Sequence, residues 1–368
     1  MRRGENIYRR RDGRWEGRYK KGRKSDGCVK YGYVYGKTLH EVRNKLYPLK
    51  VHYQTIQEMQ GSSCVAFEEW ATLWLKEIQE SVKPATYANY YYKMTKYVFP
   101  FIGDVFLNEL TPEIGGKLLL KWTRYGLKHS TKQVIFRIIC QCLKYAKEQK
   151  KLKDNPFLSV KLPKENKVKI RALTKNEQQR LENAALKEKH NQGIPAYLAL
   201  YTGLRIGEIA ALCWSDIDFE NNLLQVNHTY QRIALPLGNQ RTQLIFDTAK
   251  TEASTRVVPL GNKLKRLLIR LKKSATSQYV FSYKNKPLEP RLLTYHFQQL
   301  RKKCGLEKIH FHQLRHTFAT RCLEIQGDVL SVSAMLGHAS TQLTLDTYAD
   351  SMIEQRVKII YQMEKAIS

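Results

Sequence analysis

The stretch HFHQLRHTFAT, residues 310–320, sets His312, Arg315 and His316 three and four positions apart in a run that otherwise reads as an amphipathic helix. At that spacing the three side chains share one helix face. Two imidazoles and a guanidinium on one face make either a solvated basic surface or a site that grips an anion and moves a proton. The pattern alone does not decide, because His-x-x-Arg recurs at His40–Arg43 with no reactive partner nearby. Other segments add to it. In YTGLRIGEIAALCWSDID, residues 201–218, Arg205 follows Gly203 at the start of an apolar helix and Glu208 comes one turn later. An arginine entering an apolar helix is costly. It is kept as a buried salt bridge with Glu208, or where a planar fork must hold carboxylate or phosphate. Lys250 falls at a turn between two strands in TAKTEASTRVVPL, residues 248–260. His338 follows Gly337 in AMLGHASTQLTLDTYAD, residues 334–350, and Tyr348 lies ten residues further on.

The elements that must position these groups fall into three segments. In residues 1–60, NIYRRR and RWEGRYKK read as two strands joined at Asp12-Gly13, a hairpin signal, and CVKYGYVYG as a third strand. Thr38 and Glu41 form a capping box that opens a helix running to about Gln60. This segment holds 16 Lys/Arg against 6 Asp/Glu. Arg10, Arg11, Arg14, Arg18, Lys20 and Lys21 lie along the hairpin among aromatic residues. A two-stranded ribbon fits the DNA major groove, so these six are assigned to DNA contact rather than to a merely solvated face. EMQGSSC, residues 58–64, marks a boundary, and residues 62–160 read as a helical domain. There Phe67, Trp70, Ala71, Trp74 and Leu75 form one apolar stripe, Thr111-Pro112-Glu113 opens a helix, and Asn155-Pro156 ends the last one. Most of the tyrosines in this segment are expected in its core. After the basic linker KLPKENKVKIRAL, residues 170–368 open with a second capping box, Thr174 and Glu177. A strand-rich insert follows at about 223–260, and helices run to the end. The last, SMIEQRVKIIYQMEKAIS, has an apolar face of Met352, Ile359, Ile360 and Met363 that docks either on its own domain or on a neighbouring protomer.

Composition bounds the partner. The 368 residues carry 63 Lys/Arg against 33 Asp/Glu, a formal charge of +30, which points to a polyanion. An acidic membrane surface is the rival to nucleic acid, but no apolar run approaches the length of a span, so no membrane is expected. The charged N-terminus lacks the apolar core of a signal peptide, and a cytoplasmic protein is expected. A hydrophobic content of 42% argues for folded domains. The seven cysteines are scattered, odd in number and never spaced C-x-x-C, so they read as reduced, mostly buried thiols rather than as a disulfide framework or a zinc site.

The segments TGLRIGEI, AKTEASTRVVPL, HQLRHTFAT, MLGH and TLDTYA, in this order and at these spacings, resemble the catalytic domain of the tyrosine recombinases, the family of phage and conjugative-transposon integrases. Five segments in register are far more specific than any one of them. One departure is Asp350, where many members carry histidine at a position that is not catalytic. The resemblance covers nearly the whole chain. It implies a multidomain, mainly α protein with small β elements: a three-stranded sheet plus helix that binds arm sites, a helical core-site-binding bundle, and an α+β catalytic domain.

Carried over by position, the resemblance makes Arg205, Lys250, His312, Arg315, His338 and Tyr348 the active site. Tyr348 would be the nucleophile that forms a 3′-phosphotyrosine, and Lys250 the general acid for the leaving 5′-oxygen. Arg205, Arg315 and His338 would hold the phosphate, and His312 would help move the tyrosine proton. Glu208 would orient Arg205, and His316 is read as structural. No metal or other cofactor is implied. The implied partners are double-stranded DNA at core and arm-type sites and a homo-tetramer assembled on it. Similar integrases also draw on DNA-bending or excision factors. The alternatives are a chromosome-dimer resolvase and a non-catalytic DNA-binding regulator on the same scaffold.

Overall fold

Asp12 and Gly13 make the turn that their types favour. Gly13 takes a φ of +83°, and the Asp12 carboxylate accepts hydrogen bonds from the Arg14 amide and guanidinium. The turn joins strands β1 (Ile7–Arg9) and β2 (Trp15–Arg23), and β3 (Val29–Gly36) completes an antiparallel sheet in the order β1-β2-β3. The computed structural model describes residues 5–24, 26–61, 63–163, 171–235, 242–248, 255–325, 327–338, 340–348, 357, 360, 361, 363, 364 and 367. Helix α1 (Leu39–Gln60) lies across the sheet. Its fully buried Val42 and Leu46 press on Gly17 and Gly36, where a Cβ would come within 2.9 Å of Val42. Glycine at these two positions is what lets the helix approach. At the head of α1, Thr38 accepts from the Glu41 amide, while the Glu41 carboxylate accepts from the amide of Lys37.

The chain divides into two compact units, residues 1–166 with 234–241, and residues 167–233 with 242–368. The first therefore holds both the sheet module and the helical bundle. The bundle comprises α2 (Phe67–Ile78), α3 (Pro84–Tyr97), the short α4 (Phe99–Ile102), α5 (Pro112–Arg124) and α6 (His129–Glu148). The whole stripe Phe67, Trp70, Ala71, Trp74 and Leu75 is buried. It packs with Met94, Trp122, Ile135, Ile139 and Leu143, and each large side chain contributes roughly 1.5–3 kcal/mol. The tyrosines divide: Tyr87, Tyr90, Tyr91 and Tyr97 pack against this core from its margin, whereas Tyr92 and Tyr125 are exposed. Backbone contacts cross the junction at residues 58–64. The Cys64 amide donates to the carbonyl of Arg23, and the buried Asn108 side chain donates to the carbonyl of Lys21.

The second unit starts with a complete capping box, in which Thr174 and Glu177 exchange hydrogen bonds at the head of α7 (Lys175–Lys187). Helix α8 (Ile194–Thr202) is buried on nearly every side, and α9 (Ile206–Ala211) follows it. The insert forms β4 (Ile217–Asp218), β5 (Leu223–Val226), β6 (His228–Ala234), β7 (Thr242–Thr248) and β8 (Arg256–Pro259), paired as β4-β5-β8 and β6-β7. Then come α10 (Asn262–Lys273), the small β9 (Ser282–Tyr283) and β10 (Lys286–Pro287) hairpin, and α11 (Pro290–Lys303). Helices α12 (His312–Glu324), α13 (Val329–Leu336) and α14 (Thr341–Tyr348) complete the described elements.

The expectation for the HFHQLRHTFAT run needs one correction. It is a helix, but eight of its thirteen residues are buried, Arg315 among them, so it is a central helix rather than an amphipathic surface one. All seven cysteines are free; Cys28 is exposed and the others are buried or half-buried. No helix among the described residues is long and apolar enough to cross a membrane.

The Trp122 indole is fully buried and donates from Nε1 to the Tyr97 carbonyl at 2.8 Å. Trp122→Ala should therefore destabilise the first unit by about 3–5 kcal/mol, from the cavity plus an orphaned carbonyl. A urea midpoint followed by circular dichroism measures it, and a shift worth under ~1 kcal/mol would contradict this packing.

Candidate active site

Three elements bring the reactive side chains of the second unit together. Helix α8 ends at Gly203, whose φ of +66° caps the helix in the left-handed conformation and turns the chain toward Arg205. A Cβ on Gly203 would meet the Phe318 ring at 2.6 Å, so glycine also permits the approach of α12. Arg205 sits just ahead of α9, where Glu208 accepts both its backbone amide and its guanidinium at 2.8 Å. Arg315 projects from α12, 2% exposed, and donates to the carbonyls of Gly203 at 2.8 Å and Leu336 at 2.6 Å. Helix α13 ends at Gly337, again left-handed, and delivers His338.

A third guanidinium, which the sequence reading passed over, completes the frame. Arg256 on β8 is buried and grips both carboxylate oxygens of Glu208, at 3.1 and 2.8 Å. Its Nε donates to the Met335 carbonyl at 2.6 Å. Arg256, Arg315 and Arg205 thus donate to three consecutive carbonyls at the end of α13, those of Met335, Leu336 and Gly337. A helix C-terminus leaves its last carbonyls without intrahelical partners and carries partial negative charge. Three guanidiniums satisfy both demands and fix the turn that holds His338. The signal was present in the strand: Arg256 and Val258 alternate inward while Val257 and Pro259 face out, so an arginine occupied a core position.

Electrostatics follow from this packing. Burial alone would raise the Glu208 carboxyl, but the hydrogen bonds and charge of Arg256, with Arg205, hold it below its ordinary range. The imidazoles move the other way. Lost hydration, then the charges of Arg315 and Arg205, push His338 down to about 4. Lost hydration, then His312 and Arg315, push His316 down to about 4. His312 heads α12 and is lowered by lost hydration, then by the charges of Arg315 and Arg205, its ring 4.9 Å from that of His316. All three are neutral at pH 7, and each can offer one N–H donor and one acceptor.

Of the six residues expected from sequence, Arg205, His312, Arg315 and His338 are brought together. Lys250 lies outside the described residues, and the description of Tyr348 extends to its place as the last residue of α14. In the N-terminal sheet, Arg10, Arg11 and Arg14 surround the exposed turn. Arg18 and Lys20 share the face away from α1, where Arg18 stacks on Tyr31 at 4.2 Å and Arg10 lies over Tyr35 at 5.4 Å. Lys21 differs: a register shift between Lys20 and Gly22 turns it to the helix side, 5.5 Å from the Tyr53 ring.

Solved structures of integrases share this fold. A Tn1549 transposon integrase in complex with a circular intermediate DNA matches with a TM-score of 0.67 and 21% identity, over 79% of this chain and 99% of that one. A lambda integrase dimer bound to a COC′ core site matches with a TM-score of 0.59 and 19% identity, over 94% and 96%. Among sequence relatives, the ICEBs1 integrase of Bacillus subtilis is 25% identical over 303 residues, 78% of this chain and 79% of its own. A XerC-like tyrosine recombinase of Caldanaerobacter subterraneus is 27% identical over 181 residues, 44% of this chain; the chain spans about half, 46%, of that protein's length. Residues 171–355 match the phage integrase family, and residues 66–122 match the N-terminal SAM-like domain of phage integrases. The chain belongs to the phage integrase family and is a site-specific tyrosine recombinase.

Two outcomes follow. Arg256→Met leaves Glu208 with half its partners and frees the Met335 carbonyl, so a loss of about 3 kcal/mol or more is expected on chemical unfolding. Acid should also weaken this unit. His316 and His338 titrate lower in the folded chain than unfolded, so their stabilisation is complete above about pH 6.5 and lost as pH falls toward about 4. His316→Asn should flatten the fall in urea midpoint across that window, and an unchanged slope would contradict the assignment.

Proposed function

We propose that this recombinase integrates and excises a mobile genetic element, cutting and rejoining DNA through a 3′-phosphotyrosine on Tyr348. The observation that carries the reading is the convergence of Arg205, Arg315 and His338 at the end of α13. There the guanidiniums rest on backbone carbonyls and the imidazoles are neutral donors, an arrangement suited to an incoming phosphate. Arg205, whose side chain is 39% exposed, meets a non-bridging oxygen first; Arg315 supplies the more deeply set second donor. The Tyr348 oxygen attacks phosphorus in line, forming the P–O bond to tyrosine as the bond to the 5′-oxygen breaks. His312 receives the phenol proton and Lys250 gives one to the 5′-oxygen. The ester keeps the energy of the broken bond, so a second 5′-hydroxyl can reseal the strand without ATP.

The substrate is duplex DNA in the cytoplasm of a bacterial host. Residues 62–160 and 170–368 would clamp the core site. The outer sheet face of residues 1–60, with Arg10, Arg11, Arg14, Arg18 and Lys20, would hold arm sites, and Lys21 would support that face from behind. A lambda integrase tetramer is known bound to a Holliday junction, and four active sites on two duplexes is the assembly this chemistry requires. DNA-bending or excision factors would set its direction.

The test is incubation with a nicked duplex of the core site, followed by a denaturing gel. Wild type should give a covalent protein–DNA band that Tyr348→Phe abolishes. A DNA-binding regulator on the same scaffold gives no band with either protein, and that result would end the proposal.

A further inference from the structure

Helix α14 carries a buried polar side chain one turn before Tyr348. Thr344 is completely buried, and its Oγ1 lies 2.8 Å from Nδ1 of His338. Threonines elsewhere in the second unit behave differently. Thr202, Thr294 and Thr317 each donate to the carbonyl four residues back in their own helices. The Thr344 hydroxyl is directed at an imidazole on the preceding turn.

A neutral imidazole has one N–H, and the partner of one ring nitrogen decides which nitrogen carries it. If Nδ1 held the proton, Nε2 would present a lone pair, which repels a phosphate oxygen. A hydroxyl that donates to Nδ1 leaves the proton on Nε2, where it can meet that oxygen. The backbone of His338 is already fixed by its amide, which donates to the Ser333 carbonyl at 3.2 Å, and by the arginine-held turn before it. Ring tautomer and ring rotation are what remain to be set.

We propose that Thr344 is a positioning residue for strand cleavage: by donating to Nδ1 of His338 it fixes the Nε2–H tautomer and ties that donor to the helix that carries Tyr348. The proposal rests on the roles given above to His338 and Tyr348. Its consequence is an interlock. His338 is correctly protonated for the phosphate when α14 is docked, so the phosphate clamp and the nucleophile are assembled together. Displacing α14 removes Tyr348 and disorients His338 in one movement, which guards DNA against a half-formed site.

The experiment uses the full chain labelled with 15N-histidine, without DNA, and assigns the His338 signals by their loss in His338→Asn. Wild type should show an unprotonated Nδ1 and a protonated Nε2. Thr344→Val should show a mixture of tautomers, and Thr344→Ser should restore the wild-type pattern. In single-turnover cleavage of the nicked core site, Thr344→Val should lower the rate of covalent product by about tenfold or more, with DNA affinity within about twofold. Thr344→Ser should stay within about threefold, and Thr344→Val should add no loss in a His338→Asn background. A protonated Nδ1 in wild type would overturn the proposal, as would an equal loss of rate in both backgrounds. Absence of covalent product from wild type would sink the catalytic reading instead, while the tautomer still decides what Thr344 does.

Discussion

The site depends on the last turn of α13. The carbonyls of Met335, Leu336 and the following Gly337 lie beyond the amides of their own helix and must find other donors. Guanidiniums from three distant stretches of chain, at Arg205, Arg256 and Arg315, take them in sequence. A hydrogen bond from a charged donor is worth roughly 1.5–3 kcal/mol, so the end of this one helix is among the more strongly held points of the unit. Because Arg205 and Arg315 are also the proposed phosphate donors, the contacts that fix the fold and those that prepare the chemistry share the same atoms.

Like charges gathered this closely repel, and Glu208 answers part of that repulsion by bridging Arg205 and Arg256. The histidines answer another part by staying neutral. A site prepared in this way would meet an anion with Arg205, whose side chain is partly exposed beside its carboxylate partner. The arrangement also shows why lysine would serve poorly at Arg256. A point charge cannot face two carboxylate oxygens and a carbonyl at once, whereas a planar fork can.

Much of this could be read from the sequence because local signals were strong. The Asp12-Gly13 turn, the Thr174–Glu177 box and the tryptophan stripe of α2 each follow from short-range chemistry. The five motif segments also announced Arg205, His312, Arg315 and His338 as one set. What escaped were partners made by tertiary packing. Arg256 occupied an inward strand position, but nothing in STRVVPL says that Glu208 waits across the core. The tie between Thr344 and His338 spans two turns whose meeting depends on how α13 and α14 pack. The encircling of α12 was hidden for a related reason: its polar residues Gln313 and Thr317 are buried with local or tertiary hydrogen bonds, and Thr320 is buried beside them, so polarity misreported exposure.

In the first unit, main-chain and side-chain contacts together attach the sheet module to the bundle: the Cys64 amide on the Arg23 carbonyl, Asn108 reaching the carbonyl of Lys21, the Tyr53 hydroxyl on Glu109 and the Lys30 ammonium over the Phe106 ring. The main-chain attachments among them are indifferent to which side chains surround them. Under the proposed arm-site role, the outward residues of β2 and β3 can change, and with them the sequences recognised, while those main-chain contacts are kept. Asn108 is a side chain in that joint whose replacement would break such a contact, because its buried amide donates to the Lys21 carbonyl.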